Sequence, residues 1–103
     1  MTKYIFAYHG GNAPESPEEG QKVMAAWMAW FGSLGDSVID GGHPIGMSKT
    51  VSPGGVTDGG GANPLGGYSL IEASDMDAAI ALSKGCPMLD DGGSVEIAEC
   101  LDM

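Results

Sequence analysis

Apolar side chains recur at helical spacing most strongly across residues 16–35, where Val23, Trp27, Trp30, Phe31 and Leu34 fall at i, i+4, i+7, i+8 and i+11. Met24 and Met28 widen that stripe. The pattern predicts one amphipathic helix, and burial of each large side chain on it contributes roughly 1.5–3 kcal/mol. Three start signals coincide: Ser16 as N-cap, Pro17 at the first helical position, and Glu19 placed to reach back to the Ser16 amide. Gly35, which lacks a Cβ, is expected to close the helix in the left-handed cap conformation. A stripe this wide suggests that the helix covers a sheet with one side and lines a pocket or a second subunit with the other.

Strand-like alternation brackets this helix. Residues 3–8 place Tyr4, Phe6 and Tyr8 on one side and Ile5 and Ala7 on the other, so both faces are apolar. The run His9-Gly10-Gly11-Asn12 then breaks the strand, and residues 37–40 read as a short strand after the helix. Ten of the 18 glycines and three of the six prolines fall within residues 41–67, which therefore read as a long irregular excursion. Inside it, Lys49-Thr50-Val51 and Val56-Thr57 flank Ser52-Pro53-Gly54-Gly55, a hairpin signal. Residues 68–73 alternate as a strand, and Ser74 or Asp75 caps a second helix with Met76, Ala79, Ile80 and Ser83 inward. Gly85 and Pro87 end that helix, and residues 94–100 form the last strand.

Strand, helix, strand, inserted hairpin, strand, helix, strand is the order of a ferredoxin-like split βαβ fold, an α+β class with an antiparallel sheet and two helices on one face. Two helices cover one face of four strands, so the other apolar face calls for a cover. A second copy is the simplest one, which predicts a homodimer joined through the sheet.

Composition narrows the partners. The 103 residues make one domain, and the formal charge is −10, from 14 acids against four lysines without an arginine. Phosphate binding needs a basic surface, so neither nucleic acid nor an anionic membrane is expected as a partner. The longest apolar run, residues 23–31, is far short of the roughly 20 residues that span a bilayer. With a first strand that carries no extended apolar region or cleavage site, a cytoplasmic protein is expected. Cys86 and Cys100 fit neither a disulfide framework nor a metal pattern, and no cofactor motif is present.

The motifs of the excursion and its flanks resemble a known family. Val56-Thr57-Asp58-Gly59 followed by Gly66-Gly67-Tyr68 and Leu70-Ile71 is similar to the V-T-D-G…G-G-Y-x-L-I core of the YCII-related proteins, including the DGPF branch. The YIFAY strand, the SPEE helix start, Leu34-Gly35-Asp36, and Gly85-Cys86-Pro87 followed by GGSVEI extend the likeness along nearly the whole chain. The resemblance implies a dimeric α+β barrel. It also implies that some relatives use a histidine on the first helix with a nearby aspartate, and that one branch dehydrochlorinates hydroxylated aromatics. Here the first helix has no histidine, and Gly60-Gly61 stand where Pro-Phe would complete the DGPF signature.

Candidate chemistry is sparse. His9 and His43, each in a glycine-rich turn beside a strand end, are the candidate general acid or base, with Asp40 or Asp58 as orienting partner. A loop histidine that hydrogen-bonds backbone is the alternative role for either. A shared metal at His9, His43 and an aspartate has no ligand spacing to support it, so no metal is expected. Trp27 and Tyr68, with Lys49 and Thr50, are candidate ligand contacts, although aromatics at helical spacing also serve as core or interface. A ligand is expected between the first helix and residues 41–67, near Tyr68, because the helix supplies an apolar wall and the excursion supplies His43, Lys49, Thr50, Asp58 and Asn63. Two function classes follow: an enzyme or small-molecule binding protein of undefined specificity, and a non-catalytic dimerising or scaffold module.

Overall fold

The computed structural model describes residues 1–11 and 14–102, so the break expected at Asn12 lies outside the described residues. Its elements are β1 (Thr2–His9), α1 (Pro17–Leu34), β2 (Val38–Asp40), β3 (Lys49–Ser52), β4 (Gly55–Asp58), β5 (Leu65–Ala73), α2 (Met76–Ser83) and β6 (Ser94–Glu99). Tight 3-10 turns at Gly35–Ser37 and Pro87–Asp91 complete the path, and the second of them carries no strong signal in the sequence. Four strands form an antiparallel sheet in the order β2-β5-β1-β6, while β3 and β4 pair separately as a hairpin. This is the ferredoxin-like arrangement that the element order implies, with the hairpin inserted between β2 and β5.

Both ends of α1 differ in detail from expectation. Ser16 Oγ accepts the Glu19 N–H at 3.2 Å, as a cap does. The Glu19 carboxylate instead accepts the Glu15 N–H at 3.0 Å, one residue earlier than the Ser16 amide. Gly35 has φ 57° with ψ −127°, a conformation outside the left-handed helical well that a Cβ would obstruct, and its N–H still donates to Phe31 O.

One core sits between the sheet and both helices. Residues directly opposite in neighbouring strands share a face, so Tyr4, Phe6 and Tyr8 join Ser69, Ile71, Ala73, Val95 and Ile97 on the helix side. Phe6 and Ile71 are fully buried there against Trp30, Leu34 and Ala79. The Trp30 indole N–H donates to Leu82 O at 3.1 Å and so fastens α1 to α2. Met76 and Ile80 were expected inward but are 38% and 40% exposed, because α2 docks closely through the small Ala79 and Ser83 and leaves the longer side chains on its flanks.

The opposite sheet face carries Ile5, Ala7, Tyr68, Leu70 and Ala98, all half-buried. The molecule measures 43 × 42 × 19 Å, and 19 Å is the depth of one sheet plus one helix layer. Both helices pack on the other face, against Phe6 and Ile71. No helix among the described residues is long and apolar enough to cross a membrane.

β5 begins at Leu65, three residues before the Tyr68 start that the sequence suggests. Glycine is a poor strand former, so Gly66-Gly67 reads as loop. Here close approach of backbone decides instead: a Cβ on Gly67 would meet His43 O at 3.2 Å and Tyr8 Cδ2 at 3.4 Å. Gly66 is the extra residue at a bulge, since Tyr8 pairs with Gly67 whereas His9 pairs with Leu65.

Candidate functional site

A cavity of about 380 Å³ opens where α1 passes the β2–β5 edge of the sheet. Val23, Met24, Trp27 and Phe31, on one flank of the α1 stripe, make its apolar wall. Gly41, Gly42, His43 and Pro44 make the opposite wall, and Tyr8, Gly66 and Gly67 its floor, with Tyr68 and Met88 at the sides. Its size lies within the range of small-molecule pockets, roughly 300–1,000 Å³.

Backbone geometry fixes the glycine wall. Asp40 Oδ1 accepts the Gly42 N–H at 2.8 Å, which turns the chain as β2 ends. Beyond the turn the chain returns to β5: Tyr68 N–H donates to His43 O at 3.3 Å, Ile45 N–H donates to Gly66 O at 3.0 Å, and Pro44 bridges Gly67. Gly42 has φ 74°, and a Cβ there would fall 1.7 Å from Tyr68 O, so no other residue fits. The result holds the exposed His43 ring with its centroid 6.2 Å from that of Tyr68.

A buried polar chain supports the floor. The Tyr8 hydroxyl donates to Ser69 Oγ at 2.8 Å, and Ser69 donates to Gly41 O at 2.7 Å, so a strand side chain ties β1 to the start of the glycine wall. Tyr8 also meets Trp27 edge-on, ring centroids 4.9 Å apart. Burial holds the Tyr8 phenol well above its usual range, against the opposing Ser69 hydrogen bond, so Tyr8 stays neutral and is no base. Sequence pattern alone missed Ser69; its one signal is a hydroxyl at an inward position of an apolar strand.

Burial likewise pushes the Cys86 thiol up to about 11, with Asp90 adding to the rise and the Met88 backbone hydrogen bond opposing it. Both shifts favour the neutral form in the folded state. Their stabilisation is complete below the unfolded values and is lost as pH climbs through the folded ones. Stability is thus expected to fall between about pH 9 and 11 from Cys86, with Tyr8 adding to the loss from about pH 10 upward. Denaturant midpoints measured across that window check this: Cys86→Ala flattens the decline from its lower edge, and an unchanged slope contradicts it.

The sequence-derived candidates separate into two groups. Trp27, His43 and Tyr68 come together at the cavity. Lys49, Thr50 and Asp58 do not line it: Lys49 Nζ and Asp58 Oδ1 pair at 2.6 Å across the hairpin, and Thr50 Oγ1 donates to Gly59 O at 2.7 Å. Every β3 and β4 residue is exposed, because these polar groups serve cross-strand pairing in a two-stranded ribbon. His9 is 8% exposed and also outside the lining. Its Nδ1 donates to the carbonyls of Asn63 and Pro64, both at 3.1 Å, and its Nε2 lies 3.0 Å from Glu96 Oε1. That is the backbone-bonding role, which pins the entry of β5 to β1 and β6. Among the described residues, no group of three or more His, Cys, Asp or Glu is placed to share a metal ion.

The comparisons with known proteins agree with this architecture. A model of the YCII-related domain matches residues 1–103. A solved structure, 5-chloro-2-hydroxyhydroquinone dehydrochlorinase (TftG) from Burkholderia phenoliruptrix AC1100 in complex with 2,5-dihydroxybenzoquinone, superposes with a TM-score of 0.55 over 94% of this chain and 93% of that chain. At 16% identity the likeness is one of fold. No curated protein sequence matches the chain.

Proposed function

We propose, from the premise that the chain belongs to the YCII-related family, that it binds a small, planar, largely apolar molecule in the cavity between α1 and the glycine wall, as an enzyme or binding protein. The supporting observation is the convergence of His43 and Tyr68 with the Trp27 wall around about 380 Å³ of space. Aromatic rings on one side and bare glycine backbone on the other leave a slot suited to a flat ring. His43 supplies the imidazole through which a ring hydroxyl exchanges its proton, because the ring carries one donor and one acceptor nitrogen. Asp58 is held by Lys49 and does not orient it. TftG, whose fold this chain shares, is a dehydrochlorinase solved with a dihydroxybenzoquinone, which makes hydroxylated rings and quinones the first ligands to test.

We further propose a homodimer formed over the open sheet face, supported by the half-buried Ile5, Ala7, Tyr68, Leu70 and Ala98 in a molecule only two layers deep. Light scattering at micromolar concentration is expected to return twice 10.5 kDa. A monomer mass overturns that assembly. The scaffold alternative retains the dimer and predicts no ligand response.

A thermal-shift panel of 2,5-dihydroxybenzoquinone, para-methylphenol and unrelated metabolites separates the two classes. Ligand at about 100 times its dissociation constant stabilises the native state by about 2.7 kcal/mol, a rise of roughly 10–20 °C for a domain of this size. His43→Ala is expected to weaken the response, whereas Asp58→Ala leaves it intact. Equal responses from both variants remove His43 from the site.

A further inference from the structure

Met88 lies in the turn Pro87–Asp91, and its backbone is fixed on both sides. Cys86 N–H donates to Ser83 O at 2.9 Å, Leu89 N–H donates to Cys86 O at 3.1 Å, and Gly93 N–H donates to Met88 O at 3.0 Å. From this mount the half-buried side chain enters a slot bounded by three glycines that are distant in sequence. A Cβ on Gly11 would fall 2.8 Å from Met88 Sδ, one on Gly93 would fall 2.7 Å from Met88 Cγ, and one on Gly66 would come 3.8 Å from Met88 Cε. Gly11 follows β1, Gly66 is the bulge of β5, and Gly93 precedes β6, so the slot exists only once the sheet has formed. The same side chain lines the cavity.

A side chain on a rigid backbone mount, in a slot cleared by glycines and touching a cavity, can change the cavity's shape at little cost. Methionine is unbranched, with three rotatable bonds and a polarisable thioether, so it repacks more readily than leucine or isoleucine. Its polar neighbours at the floor are already committed, since the Tyr8 hydroxyl is bonded to Ser69 and His9 to Asn63, Pro64 and Glu96. Among the described residues, no hydrogen bond restrains the thioether itself.

We propose that Met88 is the specificity-determining residue of the cavity, a movable plug at its Gly66 end that sets how long an apolar ring substituent the cavity admits. The proposal rests on the cavity being a ligand site. It is tested by quenching of tryptophan fluorescence with two probes, para-methylphenol and para-pentylphenol, on the wild-type protein, Met88→Ala and Met88→Val. Relative to the wild type, Met88→Ala is expected to shift the preference toward para-pentylphenol on the order of tenfold, the factor for burying two further methylenes. Met88→Val shortens the side chain but retains more packed volume than alanine, so it moves the ratio in the same direction by less and decides the question if the alanine variant does not fold. An unchanged ratio in the folded variants overturns the plug while leaving the ligand site in place. Failure of both probes to bind all three proteins overturns the site, and the plug with it.

Discussion

Gly42→Ala is expected to abolish the ligand response and to destabilise the fold by more than about 3 kcal/mol. Two costs combine. A Cβ at φ 74° carries backbone strain of about 1–3 kcal/mol. That same Cβ would lie 1.7 Å from the Tyr68 carbonyl oxygen, which is backbone of a paired strand and cannot turn aside. Relief requires residues 42–45 to leave β5, which forfeits the Tyr68-to-His43 and Ile45-to-Gly66 hydrogen bonds at about 0.5–1.5 kcal/mol each. His43 then departs from Tyr68 and one wall of the cavity is lost. Gly46→Ala is the matched control, since no atom lies within 4 Å of the Cβ it would add, and it should retain both stability and response. Denaturant midpoints with the thermal-shift panel read both quantities. A Gly42→Ala protein as stable and as responsive as Gly46→Ala contradicts the backbone geometry of the wall.

Phe6→Ala is expected to cost about 3–5 kcal/mol, a large share of the roughly 5–15 kcal/mol that holds a domain folded. Phe6 is fully buried at the centre of the sheet's helix face and stacks against Trp30 at 6.3 Å between centroids. Its neighbours are large rings on rigid elements, which cannot collapse into the space left behind. Val51→Ala removes an apolar side chain that is 78% exposed on the hairpin, and its cost is expected to stay within about 0.5 kcal/mol. Urea midpoints for the two variants test the contrast, and a comparable loss in both would place the core elsewhere.

The path of the chain was legible because its signals are local. The Ser16 cap, the stripe from Val23 to Leu34, the Pro53-Gly54 turn and the alternation of YIFAY each reflect one element's own chemistry. The apolar wall of the cavity was legible for a related reason: Val23, Trp27 and Phe31 belong to the same local stripe, and they line the cavity. Polar density in residues 41–67 was a misleading guide to its opposite wall. Lys49 and Asp58 pair with each other and Thr50 with nearby backbone in a hairpin outside the cavity lining, whereas the wall itself is Gly41, Gly42, His43 and Pro44. Ser69, Met88 and the Gly66 bulge escaped notice because each acquires its role from segments brought together in three dimensions. Single-sequence periodicity carries no trace of such convergence.

Amide chemical-shift mapping of the whole chain during titration with para-methylphenol tests the central claim most directly. The account predicts that shifts concentrate on the Trp27 indole, residues 41–43 and residues 66–68, with the β3–β4 hairpin silent. Shifts centred on the hairpin or on the open face at Ile5 and Leu70, or none at saturating probe, would contradict it.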